Sequence, residues 1–308
     1  AFAGCSSIKP AAESTEKVCR AKFDAGKKSF EKGRDPEAQE KIKSYVKAGR
    51  IIVGPWFTLP DTWPLDAECL VRNLLKGIRY SNSLGSCLKI GYTSFGWGQI
   101  AQFPQIHAGF GIDFIVTAKR ITTEHAPNAE FLWESPDGTR VLTSRLGPGG
   151  RHSFFMNACI SASYGANYFG PDYKFGPQVA GVVFHRADEK CSERDHFKVT
   201  NPKDYHGEAL KDGIQRAWNE TNDTLAQEDR LFLCGCDFTS AVPALGRIIS
   251  EANNMFDDKE FEHATLNDYV NALKESIDSS KLRVIKGELR DGPPSAGTLN
   301  AAATRAPI

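Results

Sequence analysis

Short apolar runs alternate with longer segments whose apolar residues recur every three or four positions, from Arg50 to Ile277. The short runs are Arg50-Ile51-Ile52-Val53-Gly54, Leu88-Lys89-Ile90-Gly91-Tyr92, and residues 113–118, 130–134, 140–144 and 230–233. Runs of this length between Gly and Pro punctuation read as strands. The longer segments read as helices. Residues 66–79 place Leu70, Leu74, Leu75 and Ile78 on one face, with Asp66 as the N-cap. Residues 103–109 read as a short helix, and 207–225, 242–255 and 266–277 as further helices. Ser135-Pro136-Asp137-Gly138 is a turn between two of the strands. A strand that pairs in parallel with an earlier one needs a crossover of about a dozen residues or more, usually a helix. The alternation therefore predicts an α/β fold with a mainly parallel sheet.

Charge and cysteine content narrow the function classes. Lys+Arg and Asp+Glu both number 38, so the chain lacks the basic excess of a general nucleic-acid binder. No apolar run reaches the ~20 residues of a membrane-spanning helix. The eight cysteines are too sparse for a disulfide scaffold, and only Cys234 and Cys236 lie close together. They read as buried free thiols. None of the seven histidines forms His-Glu-x-x-His, and there is no P-loop, dinucleotide fingerprint or Gly-x-Ser-x-Gly elbow.

Three blocks carry more than a generic pattern. The first is Gly54-Pro55-Trp56-Phe57-Thr58-Leu59-Pro60-Asp61 with Ala67-Glu68 and Val71-Arg72-Asn73-Leu74. The second is Lys89-Ile90-Gly91-Tyr92, then Gln102, Pro104, Ile106 and Gly109-Phe110-Gly111-Ile112. The third is Glu130-Phe131-Leu132-Trp133-Glu134-Ser135 with Asp137-Gly138. In this order and spacing, over roughly residues 45–145, they resemble the catalytic domain of the α-mannosidases of glycoside hydrolase family 38, bacterial mannosylglycerate hydrolases among them. A weaker likeness continues at Gly235 and Asp237, Gly287-Glu288 and Thr304-Arg305. The resemblance implies an incomplete seven-stranded α/β barrel. The expected division is an irregular and helical extension over 1–48, a barrel-like domain over 49–290 and an extended tail over 291–308. Within the middle part, 147–206 is a long-loop segment rich in Gly and aromatics.

The family's chemistry, as the resemblance implies it, uses a zinc ion and a nucleophilic Asp that also touches the metal. The zinc ligands would come from a His-x-Asp motif ahead of Gly54, from the nucleophile and from a late His. Residues 1–53 contain no His. The nucleophile position holds Phe95 when counted without gaps, or Thr93 when Ser94-Phe95-Gly96 is aligned instead. The late His position holds Cys236, followed by Asp237. One thiolate does not make a zinc site. Trp56, Asp61, Trp63 and Asp237 remain as residues that would line a sugar pocket. Glu68 and Arg72 form an i,i+4 pair that braces a helix.

These losses point to a non-catalytic pseudoenzyme without a cofactor, acting as a structural, linker or accessory subunit beside other protein subunits. Tyr164, Tyr168, Phe169, Tyr173 and Phe175 are its candidate interface residues. Two alternatives stand: a zinc-dependent α-mannosidase or mannosylglycerate hydrolase with displaced residues, and a sugar-binding module that does not cleave. The start Ala1-Phe2-Ala3 resembles the processed start of algal plastid proteins, so a plastid and a light-harvesting assembly are expected, with a pigment thioether on a Cys. The glycosylation patterns at Asn219 and Asn222 point instead to the secretory pathway.

Overall fold

A computed structural model describes residues 36–63, 65–93, 98–118, 121–165 (without the side chains of 163 and 164), 205–226, 228–235, 242 and 244–291. Helix α1 (Pro36–Lys47) lies on the sequence side of α2 (Ala67–Leu84). Asp66 caps α2 as expected, accepting from Cys69 N at 2.7 Å. The buried stripe of α2 is Leu70, Leu74, Gly77 and Ser81, and Leu75 faces outward, 37% exposed. Then follow β1 (Gly91–Thr93), α3 (Phe103–Gly109), β2 (Phe114–Thr117), β3 (Glu130–Glu134) and β4 (Arg140–Arg145). After a π turn at Phe155–Cys159 come α4 (Ile160–Tyr164), α5 (Leu210–Asn219), α6 (Leu245–Met255), α7 (Leu266–Ser276) and β5 (Val284–Lys286).

The five strands form one sheet in the order β1-β2-β4-β3-β5. Three of its four pairings are parallel, and the β3–β4 hairpin is antiparallel. The mainly parallel sheet is as expected, and among the described residues it has five strands. Beyond its edges, the segments after β1 and β5 meet through two backbone hydrogen bonds between Gln99 and Leu289, at 3.0 and 3.1 Å.

Both faces of the sheet are apolar, which is why β2 is buried at every position. Phe114 and Val116 join Tyr269, Val270 and Leu273 of α7 on one face. Ile115 joins Phe103, Phe131, Trp133 and Ile285 on the other. A separate helical cluster holds Phe154, Phe155, Cys159, Leu210, Ile214, Ile248 and Phe256.

Two expected strands are open chain. The donors of residues 50 and 51 are taken: Arg50 N and Ile51 N both bond to Tyr45 O at the end of α1, at 2.8 and 3.2 Å. The one ladder-like tie is Leu88 N to Val53 O, 2.8 Å. At 230–233 the alternation is real but has another cause. Leu231 and Leu233 pack against the α7 face, and Phe232 against the helical cluster, so this segment is wedged between two cores. The expected helix over 207–225 is a 3-10 turn at Gly207–Ala209 followed by α5, and the chain leaves the helix at 220.

Candidate functional site

In α/β folds, ligands bind where the parallel strands end. Strands β1, β2 and β4 share a direction, so Thr93, Thr117 and Arg145 stand at the same end. The reversed β3 brings its first residue, Glu130, to that end opposite Ser144.

Among the described residues, the part of this end formed by β1 and β2 carries neutral groups that bond through Gln99. Gln99 Nε2 donates to Thr93 Oγ1 at 2.9 Å, and Thr117 Oγ1 donates to Gln99 Oε1 at 3.4 Å. All three side chains are buried. Thr93, one of the two residues at the expected nucleophile position, therefore spends its hydroxyl on an amide. Phe95, the other, lies outside the described residues.

The part formed by β3 and β4 holds carboxylates that serve the loop after α5. Glu130 accepts from Leu225 N at 2.6 Å, from Thr224 Oγ1 at 3.0 Å and from Ser144 Oγ at 3.3 Å. Burial pushes its carboxyl above the usual range, against the lowering effect of those donors. Arg145 pairs with Asp223 on the same loop. Glu220 accepts from Gly149 N and from Asn157 Nδ2, at 3.0 and 2.9 Å. The carboxylates here fasten residues 220–226 to the sheet and to the π turn. Asn219 and Asn222 are exposed, while Thr221 Oγ1 donates to Trp218 O and Thr224 Oγ1 to Glu130.

The first sequence block folds as a single unit. Asn73 on α2 accepts from Phe57 N and Thr58 N, both at 3.0 Å, and donates to Thr58 O at 2.8 Å. A Cβ on Gly77 would stand 2.2 Å from Pro55 O and 2.3 Å from Phe57 N, so only glycine lets α2 meet this loop. Trp56 stacks on Phe103 (5.8 Å) and meets His107 edge-on (5.4 Å). Its indole N–H is buried without a partner among the described residues. Half-buried Asp61 accepts from Trp63 N at 3.2 Å. Trp63 lies beneath the Arg290 guanidinium, 3.7 Å from the ring centre. Of the pocket candidates, half-buried Trp56 packs against the core, Trp63 is covered on one face, and Asp61 bonds within its own turn.

The second and third blocks are also ties. Fully buried His107 has Nδ1 2.8 Å from Phe103 O, which fixes the proton on Nδ1. Burial lowers its pKa to about 4. A Cβ on Gly91 would reach within 2.8 Å of its Nε2, so β1 needs glycine there. Trp133 Nε1 donates to Gly287 O at 2.8 Å. Glu134 lies between Arg140 and Lys286, 2.6 Å from each. Sequence reasoning placed Asn73 in the first block without a role and missed Gln99. The one available signal was a lone amide inside an apolar stretch.

Cys236, Asp237, Tyr168, Phe169, Tyr173 and Phe175 lie outside the described residues, as does the start of the chain, and Tyr164 closes α4. The nearest described contact to the Cys236-Asp237 pair is His152 Nδ1, 2.8 Å from Gly235 O. No three His, Cys, Asp or Glu side chains converge among the described residues, and no helix there is long and apolar enough to cross a membrane. An open groove of about 590 Å³ runs on the outer face of α2, lined by Phe57, Arg72, Leu75, Lys76, Arg79 and Tyr80. It holds none of the sugar-pocket candidates.

Residues 16–288 match the family model described as the N-terminal domain of glycosyl hydrolases family 38. A Halalkalibacterium halodurans protein that carries the name mannosylglycerate hydrolase is 28% identical over 268 residues, 83% of this chain and 25% of its own length. Alpha-mannosidase G of Dictyostelium discoideum is 31% identical over 113 residues, 35% of this chain and 10% of its own length. The crystal structure of an alpha-mannosidase from Enterococcus faecalis V583 superposes with a TM-score of 0.63 at 20% identity, over 82% of this chain and 24% of the other. The chain thus spans about a quarter or less of the length of each of these relatives.

Proposed function

Because the chain belongs to glycosyl hydrolase family 38 through that family's N-terminal domain, we propose that it is a member without hydrolase activity, working as a structural or accessory subunit beside other proteins. One observation carries this reading. At the strand end where a nucleophile would stand, Gln99 bonds to both Thr93 and Thr117, and among the described residues no carboxylate is a partner of these three. A retaining glycosidase needs a carboxylate, or a group of like nucleophilicity, at that place. Among its described partners the Thr93 hydroxyl has no base to take its proton.

The donor set among the described residues does not fit the zinc that the family resemblance implies. A catalytic zinc needs three protein ligands drawn from His, Cys, Asp and Glu. The described residues bring no such three together, and the described groups that bond with Thr93 and Gln99 are a hydroxyl and an amide. We therefore derive no metal-dependent step. The buried carboxylates at this end, Glu130, Asp223 and Glu220, each have structural donors.

The test uses the purified chain with added zinc and an activated α-mannoside. The expected result is no turnover and less than one zinc bound per chain. Native mass spectrometry of material isolated from its source is expected to find the chain in a complex. Zinc-dependent turnover abolished by Asp61→Asn would establish the hydrolase instead. A thermal upshift with mannose or mannosylglycerate, without turnover, would establish a sugar-binding module.

A further inference from the structure

Two cysteines outside the strand-end site face each other. Cys159 ends the π turn and is fully buried, and Cys234 is half-buried in the segment wedged between the two cores. They are 75 positions apart in the chain, with their sulfurs 3.6 Å apart. Two hydrogen bonds bracket the pair. Phe154 N donates to Leu233 O at 3.2 Å, and His152 Nδ1 lies 2.8 Å from Gly235 O. The rings of Phe154 and Phe232 pack at 6.0 Å beside them. The two segments are thereby held alongside each other, and the thiols meet because their neighbours are pinned.

We propose that Cys159 and Cys234 form a dithiol site that small disulfide oxidants of the glutathione class convert to an intrachain disulfide. A disulfide needs its sulfurs at about 2.05 Å, so closing the present gap takes about 1.5 Å of side-chain movement. Cys234 is the accessible partner and attacks first. Its thiolate displaces one glutathione thiolate from oxidised glutathione and leaves a mixed disulfide. Cys159 then loses its proton, attacks Cys234 Sγ and displaces the second glutathione thiolate. Two thiols and one glutathione disulfide give one protein disulfide and two glutathione thiols. The hydrogen bond with Cys234 and burial both hold Cys159 protonated in the reduced state. The second step therefore quickens as pH rises.

The cross-link would join the helical cluster to the wedged segment across a long loop, which restricts the unfolded chain. The experiment incubates the folded full chain with oxidised glutathione, blocks remaining thiols with N-ethylmaleimide and maps peptides without reduction. The expected product is a Cys159–Cys234 linked peptide, with a melting temperature several degrees above that of the same sample after reduction. Cys159→Ser is expected to stop at a glutathione adduct on Cys234, and Cys234→Ser to leave Cys159 unmodified in the folded chain. Should either variant fail to fold, the wild-type map and its melting shift decide. A glutathione adduct on wild-type Cys234 that never resolves, a link from either cysteine to a different one, or a linked peptide without a melting shift would overturn the proposal.

Discussion

Around β2 and β3 aromatic rings stack on one another, whereas around α5 and α6 an apolar cluster is edged by polar groups and by cations over its rings. In the sheet half, Trp56, Phe103 and Trp133 stack in series at 5.8 and 5.7 Å. Ile115, Phe131 and Val141 close around them. In the helical half, Trp218 carries Arg230 and Lys259 over its ring, at 4.2 and 4.8 Å. Asn157 reaches across to Glu220. The halves are joined by residues 220–226, whose side chains and backbone bond to Glu130, Arg145 and Gly149. An apolar stack tolerates no loss of volume. A polar join depends on each donor keeping its acceptor.

The largest expected effect is in the stack. Trp133 is fully buried, and Trp133→Ala should cost about 3–5 kcal/mol. Ile214→Ala, in the helical cluster, should cost about 2–4 kcal/mol. Urea unfolding followed by circular dichroism and tryptophan fluorescence measures both. Because 220–226 ties the halves together, one shared transition is expected in each variant. A biphasic curve in Trp133→Ala, with the second phase where the wild-type protein unfolds, would separate the halves into independent units.

Acid should reach the sheet half through His107. Its pKa is lowered from 6.5 to about 4 by burial, so the folded chain keeps it neutral while the unfolded chain protonates it. Its contribution is complete above pH 6.5 and is lost as pH falls toward 4, to a total of about 3 kcal/mol. His107→Asn keeps a donor near the Nδ1 position but cannot titrate. Melting temperatures between pH 7 and pH 4.5 should fall more steeply for wild type than for the variant, whatever the variant's starting stability. Parallel slopes would show that His107 is not the sensor. Glu130 acts with the opposite sign. A carboxyl whose folded pKa is raised contributes most below its unfolded value and loses that contribution as pH rises through the folded one.

This division also explains what the sequence made legible. The sheet half was readable because strand and helix periods are local, and residues 113–118, 130–134 and 140–144 became β2, β3 and β4. The failures were non-local. Arg50 and Ile51 look like strand residues, but their N–H groups belong to Tyr45 O. Leu231-Phe232-Leu233 alternates because it has a core on each side. Strand β5 is three residues long, with one buried side chain, and offers no period to find. The three blocks were singled out, and the contacts they make among the described residues are packing and hydrogen bonds. Asn73 and Gly77 seat the Trp56 loop, Gly91 makes room for His107, and Trp133 holds Gly287. The polar end of the sheet was hidden, because Glu130 finds its partners 94 and 95 positions away.

The smallest expected effect tests whether charge acts outside that join. Glu68 and Arg72 have the spacing of a helix brace, and Arg72 Nε does donate to Glu68 Oε1 at 2.6 Å. Their side chains are 75% and 67% exposed, for Arg72 and Glu68 respectively. Water and salt screen such a pair, and exposed i,i+4 pairs contribute about 0.3–0.5 kcal/mol. Arg72→Ala should therefore shift the urea midpoint barely beyond error at low salt, and not at all in molar salt. It should leave the shared transition intact, since Arg72 lies on the outward side of α2, away from Asn73 and Gly77. A loss above about 1 kcal/mol that persists in salt exceeds what an exposed pair supplies. It would mean that Arg72 packs through its aliphatic stem against the groove beside Phe57 and Tyr80. The sheet half would then extend its dependence on packing to the outer face of α2.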